Sequence, residues 1–428
     1  MDRFATAAQA LRTALPHALV DTVRAVCADQ YGAIAVDLWM ADYAMTMLQP
    51  VTVPPYTAQP VPIRTSEPGR ALGAQEPFIC RARYPKPTRT HLSRPTKPLA
   101  KQPEPVPAVT AHLPVSVRGD RLGVLSVTVP EGGDSPQVLA ELVQLADVLA
   151  HELVVADRDT DLYLQARRAS RLTLAAEMQW QLLPGRSCTR PEYTLGAQLE
   201  PAYAIYGDNF DWATTADTLT LTATNGMGEG IKAALLTNLA VNALRNARRA
   251  GLSLADQAAL ADQALYAEHR GAQHVAALLF EFDLATGAFE VIDAGSPKIW
   301  RLRKGSVEPI ELEAQLPLGM FEDTPYIPQH HTIEPGDRLL IVSDGVYAST
   351  SKHGELFSAR HLTRALSETR LLPATQVPHA VLETHAAHHV PGADSDDAMI
   401  ICLDWHGRPT DGHLTDGHLT AGERTPMT

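Results

Sequence analysis

Cysteine is scarce in this chain of 428 residues: Cys27, Cys80, Cys188 and Cys402 lie far apart, and no two form a CxxC pair. That spacing offers neither a zinc ribbon nor a dithiol redox motif. A disulfide scaffold is not expected at this length, so reduced thiols are. Long apolar runs are also missing; none approaches the ~18–20 residues that a membrane helix needs. Met1 to Val26 is broken by Arg12, His17 and Asp21 and reads as an amphipathic helix, not a signal core. Positive charge is in deficit, with 36 Lys and Arg against 49 Asp and Glu and a net charge of −13. That balance lacks the electrostatic footprint of a duplex-binding protein. Together these absences predict a cytoplasmic protein with no nucleic-acid partner and no membrane partner.

What is present suits a globular protein: 45% of the residues are hydrophobic, and the length allows two or three domains. Proline is in excess, at 32 against 27 glycines. The stretch 84–107 collects Pro85, Pro87, Pro95, Pro98, Pro103, Pro105 and Pro107, with Lys86, Arg89, Arg94, Lys97 and Lys101 among them. Proline lacks the N–H that a ladder or helix uses, so this stretch is an extended loop. A partner-contacting arm and a solvated insertion both remain open for it.

In the first half, Leu11, Leu15, Leu19, Val23 and Val26 recur at helical spacing, and Gly32 to Val51 reads as two strands joined at Ala41–Asp42. Leu113 to Val129 alternates about Arg118-Gly119-Asp120, the pattern of a hairpin. Val138, Leu142, Leu145, Leu149 and Leu153 mark a helix, and helical text continues from Ala156 to Leu183. This order, with Leu113-Pro114-Val115 and Leu122-Gly123-Val124-Leu125, resembles a GAF domain over residues 10–156. The resemblance implies a ligand- or partner-sensing α+β domain over residues 1–156. Residues 157–183 would be a connector helix, either a coiled coil pairing two chains as a homodimer or an ordinary docked helix.

The second half is richer in strands. Strand-like runs cover Tyr193 to Leu199, Leu219 to Thr224, Val275 to Phe282, Phe289 to Ala294, Ile299 to Leu302, Arg338 to Val342 and Met399 to Leu403. Helical runs cover Ile231 to Ala250, Leu254 to Tyr266, Ser358 to Glu368 and Gln376 to His389. Strands in runs about a helical pair argue for α+β layers, not alternating βαβ units. The tail, 406–428, holds a Thr-Asp-Gly-His-Leu repeat with His413 and His418 and reads as disordered.

Four oxygen-bearing residues stand at strand ends or turns: Asp208, Asn225, Asp344 and Asp396. Oxygen ligands converging from separate strands are what Mg²⁺ or Mn²⁺ requires. Two such ions ~3.5–4 Å apart activate a water and clamp a phosphoryl group. Any one Asp-Gly alone is more often a turn. The glycine-rich loop Gly226 to Gly230 does not complete a dinucleotide fingerprint, because Ile231 takes its last position, and no Walker-type G-K-[ST] follows.

The ordered set resembles the SpoIIE/RsbU-type serine/threonine phosphatases of the metal-dependent PPM family. Its carriers are Met178-Gln179-Trp180-Gln181-Leu182-Leu183-Pro184, Pro201-Ala202, Gly207-Asp208-Asn209-Phe210-Asp211 and Asn225-Gly226-Met227-Gly228-Glu229-Gly230. They continue with Ala233-Ala234-Leu235-Leu236, Ala294-Gly295-Ser296-Pro297, Pro317-Leu318-Gly319, Pro335-Gly336-Asp337, Ser343-Asp344-Gly345 and Asp396-Asp397. The resemblance implies a β-sandwich flanked by paired helices over residues 184–405 and a phosphorylated regulatory protein, such as an anti-sigma-factor antagonist, as substrate. It implies that Asp208, Asp344 and Asp396 are catalytic metal ligands and that Gly226 lends its carbonyl to a second Mn²⁺ or Mg²⁺. Asn225 stands where the family bridges both ions with an aspartate. An amide brings one oxygen, no charge and an N–H₂ that repels metal, so a two-ion centre is weakened or reduced to one ion. Tyr206, Glu229 and Ser296 also depart from the motifs, with Glu229 able to return a nearby negative charge. The alternative is a pseudophosphatase that keeps the fold as a binding module.

Overall fold

The structure is a computed structural model that describes residues 2–51, 58–84, 106–205, 207–351, 353–388 and 396–408. The proline-rich stretch between 85 and 105, Tyr206 and the tail repeat with His413 and His418 lie outside the described residues.

The first domain opens with α1 (Arg3–Thr13) and α2 (Leu19–Tyr31). The single amphipathic helix expected there is two, because Pro16 follows Leu15 and the residue before a proline is driven from helical geometry; Leu15 is 63% exposed. One antiparallel sheet follows, built from β1 (Ala35–Ala41), β2 (Met47–Pro50), β3 (Val61–Pro62), β4 (Phe78–Tyr84), β5 (Val106–Val117) and β6 (Asp120–Pro130) in the spatial order 3-2-1-6-5-4. The expected hairpin about Arg118-Gly119-Asp120 is β5–β6, and the proline-rich stretch joins β4 to β5, whose ends Tyr84 and Val106 pair.

The two faces of this sheet differ, as the period of two in a strand dictates. Val109, Ala111 and Leu113 of β5 and Leu125, Val127 and Val129 of β6 meet α1, α2 and α4 (Pro136–Ala156) in one apolar core. The other face carries Trp39, Leu48 and Val124, packed against Leu72 of α3 (Glu67–Ala74). It also buries polar groups: Thr110 and Thr128 share a 2.9 Å hydrogen bond, and His112 meets Ser126 at 2.8 Å.

The segment 157–183 is not one connector helix. It forms α5 (Leu162–Ala166) and α6 (Leu174–Leu182), separated by non-helical residues with Thr173 capping α6. Each helix belongs to a different body. Tyr163 is buried in the first domain's core and donates to the Pro16 carbonyl at 2.7 Å, whereas Ala176 packs into the second domain's core. This break leaves no continuous helix for a coiled coil.

The second domain stacks two antiparallel sheets. One has β9 (Asp208–Thr214), β10 (Thr218–Gly226), β11 (Val275–Asp283), β12 (Ala288–Ala294) and β15 (Gln329–Thr332). The other has β7 (Ser187–Thr189), β8 (Tyr193–Glu200), β13 (Lys298–Arg303), β14 (Ser306–Ile310), β16 (Arg338–Val342) and β17 (Ala398–Trp405). Leu221, Phe280, Ile341 and Ile401 fill the space between the sheets. Helices α7 (Gly230–Arg249) and α8 (Leu254–His269) cover the first sheet's outer face through Leu236, Leu244 and Leu265. Helices α10 (His361–Glu368) and α11 (Val377–His388) cover the other through Leu362, Leu366 and Val381. The result is the helix–sheet–sheet–helix sandwich expected from the motifs. Both faces of β16 and β17 are covered, which is why these strands read as unbroken apolar runs.

The domains meet at the β1–β2 turn. Tyr43 from that turn is 4% exposed and sits in the core of the second domain, 4.9 Å from the Trp180 ring. Its carbonyl accepts from Arg186 at 3.0 Å, and Arg167 lies over its ring. Asp42 beside it accepts from Thr46 and Met47 backbone N–H groups and from the Tyr203 hydroxyl at 3.1 Å. Elsewhere Arg121 donates to the Thr375 carbonyl, and Gln376 donates to Gly73 at 2.5 Å.

Tyr43→Ala removes a side chain buried in the neighbouring domain, a loss of about 3–5 kcal/mol. The expected outcome is a lower unfolding temperature for the second domain, although the substitution lies in the first. Calorimetry on the full chain checks it, and an unchanged transition for residues 184–405 counts against the packing described.

Candidate metal centre

The candidate residues gather where strands of both sheets end. Asp208 opens β9 and pairs in register with Asn225 near the end of β10. Asp344 follows β16 and opens a single helical turn, α9 (Asp344–Tyr347), while Asp396 precedes β17. Close backbone approach requires glycine at two points. A Cβ on Gly207 would lie 2.1 Å from the Gly226 carbonyl oxygen, and one on Gly345 would lie 1.9 Å from the Asp397 carbonyl oxygen. Thr237 of α7 donates to the Gly207 carbonyl at 2.7 Å, fixing the loop before Asp208.

Asp208 is 1% exposed, and neither of its carboxylate oxygens has a hydrogen-bond partner in bonding geometry. Burial, and then the charge of Asp397, push its carboxyl well above the usual carboxylate range; Asp344 and Asp396 add to the rise, and Ser343 eases it. Asp396, at the surface, is raised by desolvation and next by Asp344, with Glu229 contributing. Glu229 thus does place negative charge toward the site, from the N-cap position of α7.

Asn225 does not take a bridging geometry. Its Nδ2 donates to Asp344 Oδ1 at 2.6 Å, so the amide turns an N–H, not its oxygen, toward that carboxylate. Asp344 Oδ1 also accepts from the Gly345 N–H at 3.2 Å. The Gly226 carbonyl lies against Gly207. Among the described residues, the carboxylates of Asp208, Asp344 and Asp396 do not form a group whose ligand atoms all lie within 4.8 Å.

Two residues matter here that motif reading passed over. Asp397, fully buried, accepts from the backbone N–H of Gly207 at 2.8 Å and of Asp208 at 3.1 Å. The Asp396-Asp397 doublet signalled it, but spacing alone does not say which of two neighbouring acids turns inward. Asp211, three residues past Asp208, accepts a forked bond from Arg245 (2.7 and 3.1 Å) and another from Arg248 at 3.0 Å, which pins β9 to α7. Ser296 meets the Tyr347 hydroxyl at 3.3 Å.

These residues fit a hard cation at Asp208. A buried carboxylate without donors, with like charges about it, is stabilised either by taking a proton or by a divalent ion. Asp344 and Asp396 also line a cleft of about 770 Å³, together with Gly345, Glu200, Pro201 and, from the first domain, Ala44 and Thr46.

Comparison with known proteins supports the C-terminal resemblance. Residues 215–406 match the family Stage II sporulation protein E (SpoIIE). No curated protein matches the chain. A solved structure of the PP2C phosphatase domain and a regulatory-domain fragment of SpoIIE from Bacillus subtilis is 17% identical, with a TM-score of 0.46, over 50% of this chain and 62% of that one. The RsbU and RsbW domains of a Mycobacterium tuberculosis protein are 20% identical, with a TM-score of 0.45, over 51% of this chain and 61% of that one. This chain therefore spans under two thirds of either. The SiaA PP2C domain of Pseudomonas aeruginosa is 20% identical, with a TM-score of 0.45, over 54% of this chain and 94% of that one.

Asp208→Asn tests the buried charge. With its folded pKa raised, Asp208 favours folding below the ordinary carboxylate range, and that contribution is lost as pH rises through the folded value. In chelator at neutral pH, Asp208→Asn is expected to melt above wild type, with the gap closing toward pH ~4. Adding Mn²⁺ should raise wild type and leave the variant unmoved. Thermal melts across pH check both parts.

Proposed function

We propose, from a second domain of SpoIIE type, that this protein is a divalent-cation-dependent phosphatase of phosphoserine or phosphothreonine on a regulatory protein. The carrying observation is Asp208: a buried carboxylate without a hydrogen-bond donor, within electrostatic reach of Asp397, Asp344 and Asp396, the last two of which line an open cleft. By the family resemblance, the substrate is a bacterial regulator such as an anti-sigma-factor antagonist. Asp208, Asp344 and Asp396 hold Mn²⁺ or Mg²⁺ through oxygen, and Gly226 offers a carbonyl. Held by these residues, a divalent ion would supply activation of a water and offset charge on the phosphoryl group.

The chain's own groups do the positioning. Asp397 fixes the backbone that carries Asp208, and the Asn225 amide orients Asp344. Ala44 and Thr46 in the cleft lining support regulation by the first domain, read as a GAF-like sensor, because any shift of the β1–β2 turn alters the cleft.

A second reading, a pseudophosphatase that binds without hydrolysing, is favoured by one observation. Asn225 presents N–H, not oxygen, to Asp344. Binding of a bridging ion requires that amide to turn.

Mn²⁺-dependent hydrolysis of p-nitrophenyl phosphate separates the readings. Wild type should show a weak signal that Asp344→Ala abolishes, and Asn225→Asp should raise it at least ~10-fold, about 1.4 kcal/mol in the barrier. Calorimetric titration should show more Mn²⁺ bound by Asn225→Asp than by wild type. Wild type equal to Asp344→Ala at background, with activity only in Asn225→Asp, establishes the binding-module reading instead.

A further inference from the structure

We propose that Glu67, Cys80 and His112 form a zinc site in the first domain, separate from the centre around Asp208. These side chains come from three elements: Glu67 from the first turn of α3, Cys80 from β4 and His112 from β5. Phe78 pairs with His112 and Cys80 with Thr110 in the β4–β5 register, so Cys80 and His112 are diagonal neighbours on the face under α3. Among the described residues they are the one group of His, Cys, Asp and Glu side chains, three or more, whose ligand atoms all lie within 4.8 Å of one another.

The separations match the edges of a tetrahedron. Cys80 Sγ lies 3.6 Å from His112 Nε2, and Glu67 Oε2 lies 3.7 Å from the same nitrogen. Tetrahedral zinc, with Zn–S of ~2.3 Å and Zn–N and Zn–O of ~2.0–2.1 Å, sets S···N edges near ~3.6 Å and N···O edges near ~3.4 Å. Without an ion, the 3.6 Å spacing is that of a sulfur hydrogen bond and the 3.7 Å spacing that of an ion pair; both spacings also suit ligands of one shared ion.

The imidazole is held in the orientation a ligand needs. His112 Nδ1 lies 2.8 Å from Ser126 Oγ, and that oxygen accepts from Trp39 Nε1 at 3.0 Å. With Nδ1–H donating to Ser126, the Nε2 lone pair faces Cys80 and Glu67, the arrangement that orients metal-bound histidines.

The charge balances. On binding, the thiol releases one proton, and thiolate, carboxylate and neutral imidazole together offset the two charges of Zn²⁺. A set of sulfur, nitrogen and oxygen selects zinc over Mg²⁺ or Mn²⁺. Glu67 is exposed, so the fourth position faces solvent and takes a water or a small exogenous ligand.

Cobalt substitution in the full-length, chelator-treated protein tests this. Co²⁺ should give a thiolate-to-cobalt charge-transfer band in the near ultraviolet and strong tetrahedral visible bands, saturating at one ion per chain and bleached by Zn²⁺. Cys80→Ser should abolish the charge-transfer band, Glu67→Gln should weaken Co²⁺ binding at least ~10-fold, and Asp208→Asn should leave the band unchanged. Far-ultraviolet circular dichroism reports whether each variant is folded. A folded wild type without the band, or a band that survives in folded Cys80→Ser, overturns the proposal.

Discussion

A carboxylate buried without a donor governs the second domain. Asp208 sits among like charges at the end of the sandwich, and much of the local backbone serves to keep it there. Asp397 spends one carboxylate oxygen on two backbone N–H groups, the Gly207 and Gly345 positions admit no side chain, and Asp211 anchors the strand to α7. Such an arrangement opposes folding unless something cationic enters. Stability and binding are therefore set against each other in one group, which is common where a fold holds a functional site.

Much of this was legible in the sequence, for identifiable reasons. Strands β16 and β17 are apolar on both faces, so their runs stand out, and each carries its acid at a boundary marked by a polar doublet. Strand β9 was harder, because its polar residues turn inward: Asn209 meets Gln179, Asp211 meets Arg245 and Arg248, and Asp208 is buried without a hydrogen-bond partner. The presumed connector looked helical since few residues in it forbid a helix. Its interruption comes from tertiary packing, with Tyr163 drawn into one core and Ala176 into the other. The Glu67–Cys80–His112 group leaves no trace in spacing, because a sheet register, not a motif, brings these residues together.

The two sites differ in hardness. The second domain offers carboxylates, carbonyls and one amide, a set for hard cations that exchange readily. The first offers sulfur and imidazole backed by a serine and a tryptophan, a set that discriminates among transition metals. One chain thus presents two distinct coordination chemistries on opposite sides of a shared boundary.

That boundary is where Tyr43 leaves its own sheet to fill space in its neighbour's core. A side chain that belongs to one domain by sequence and to the other by packing ties any ligand that shifts it to reciprocity: the coupling free energy between two sites is the same read from either one. The tyrosine therefore has no upstream and no downstream. Were a ligand of the first domain to move this turn, occupancy of the cleft would have to change that ligand's affinity by the same factor.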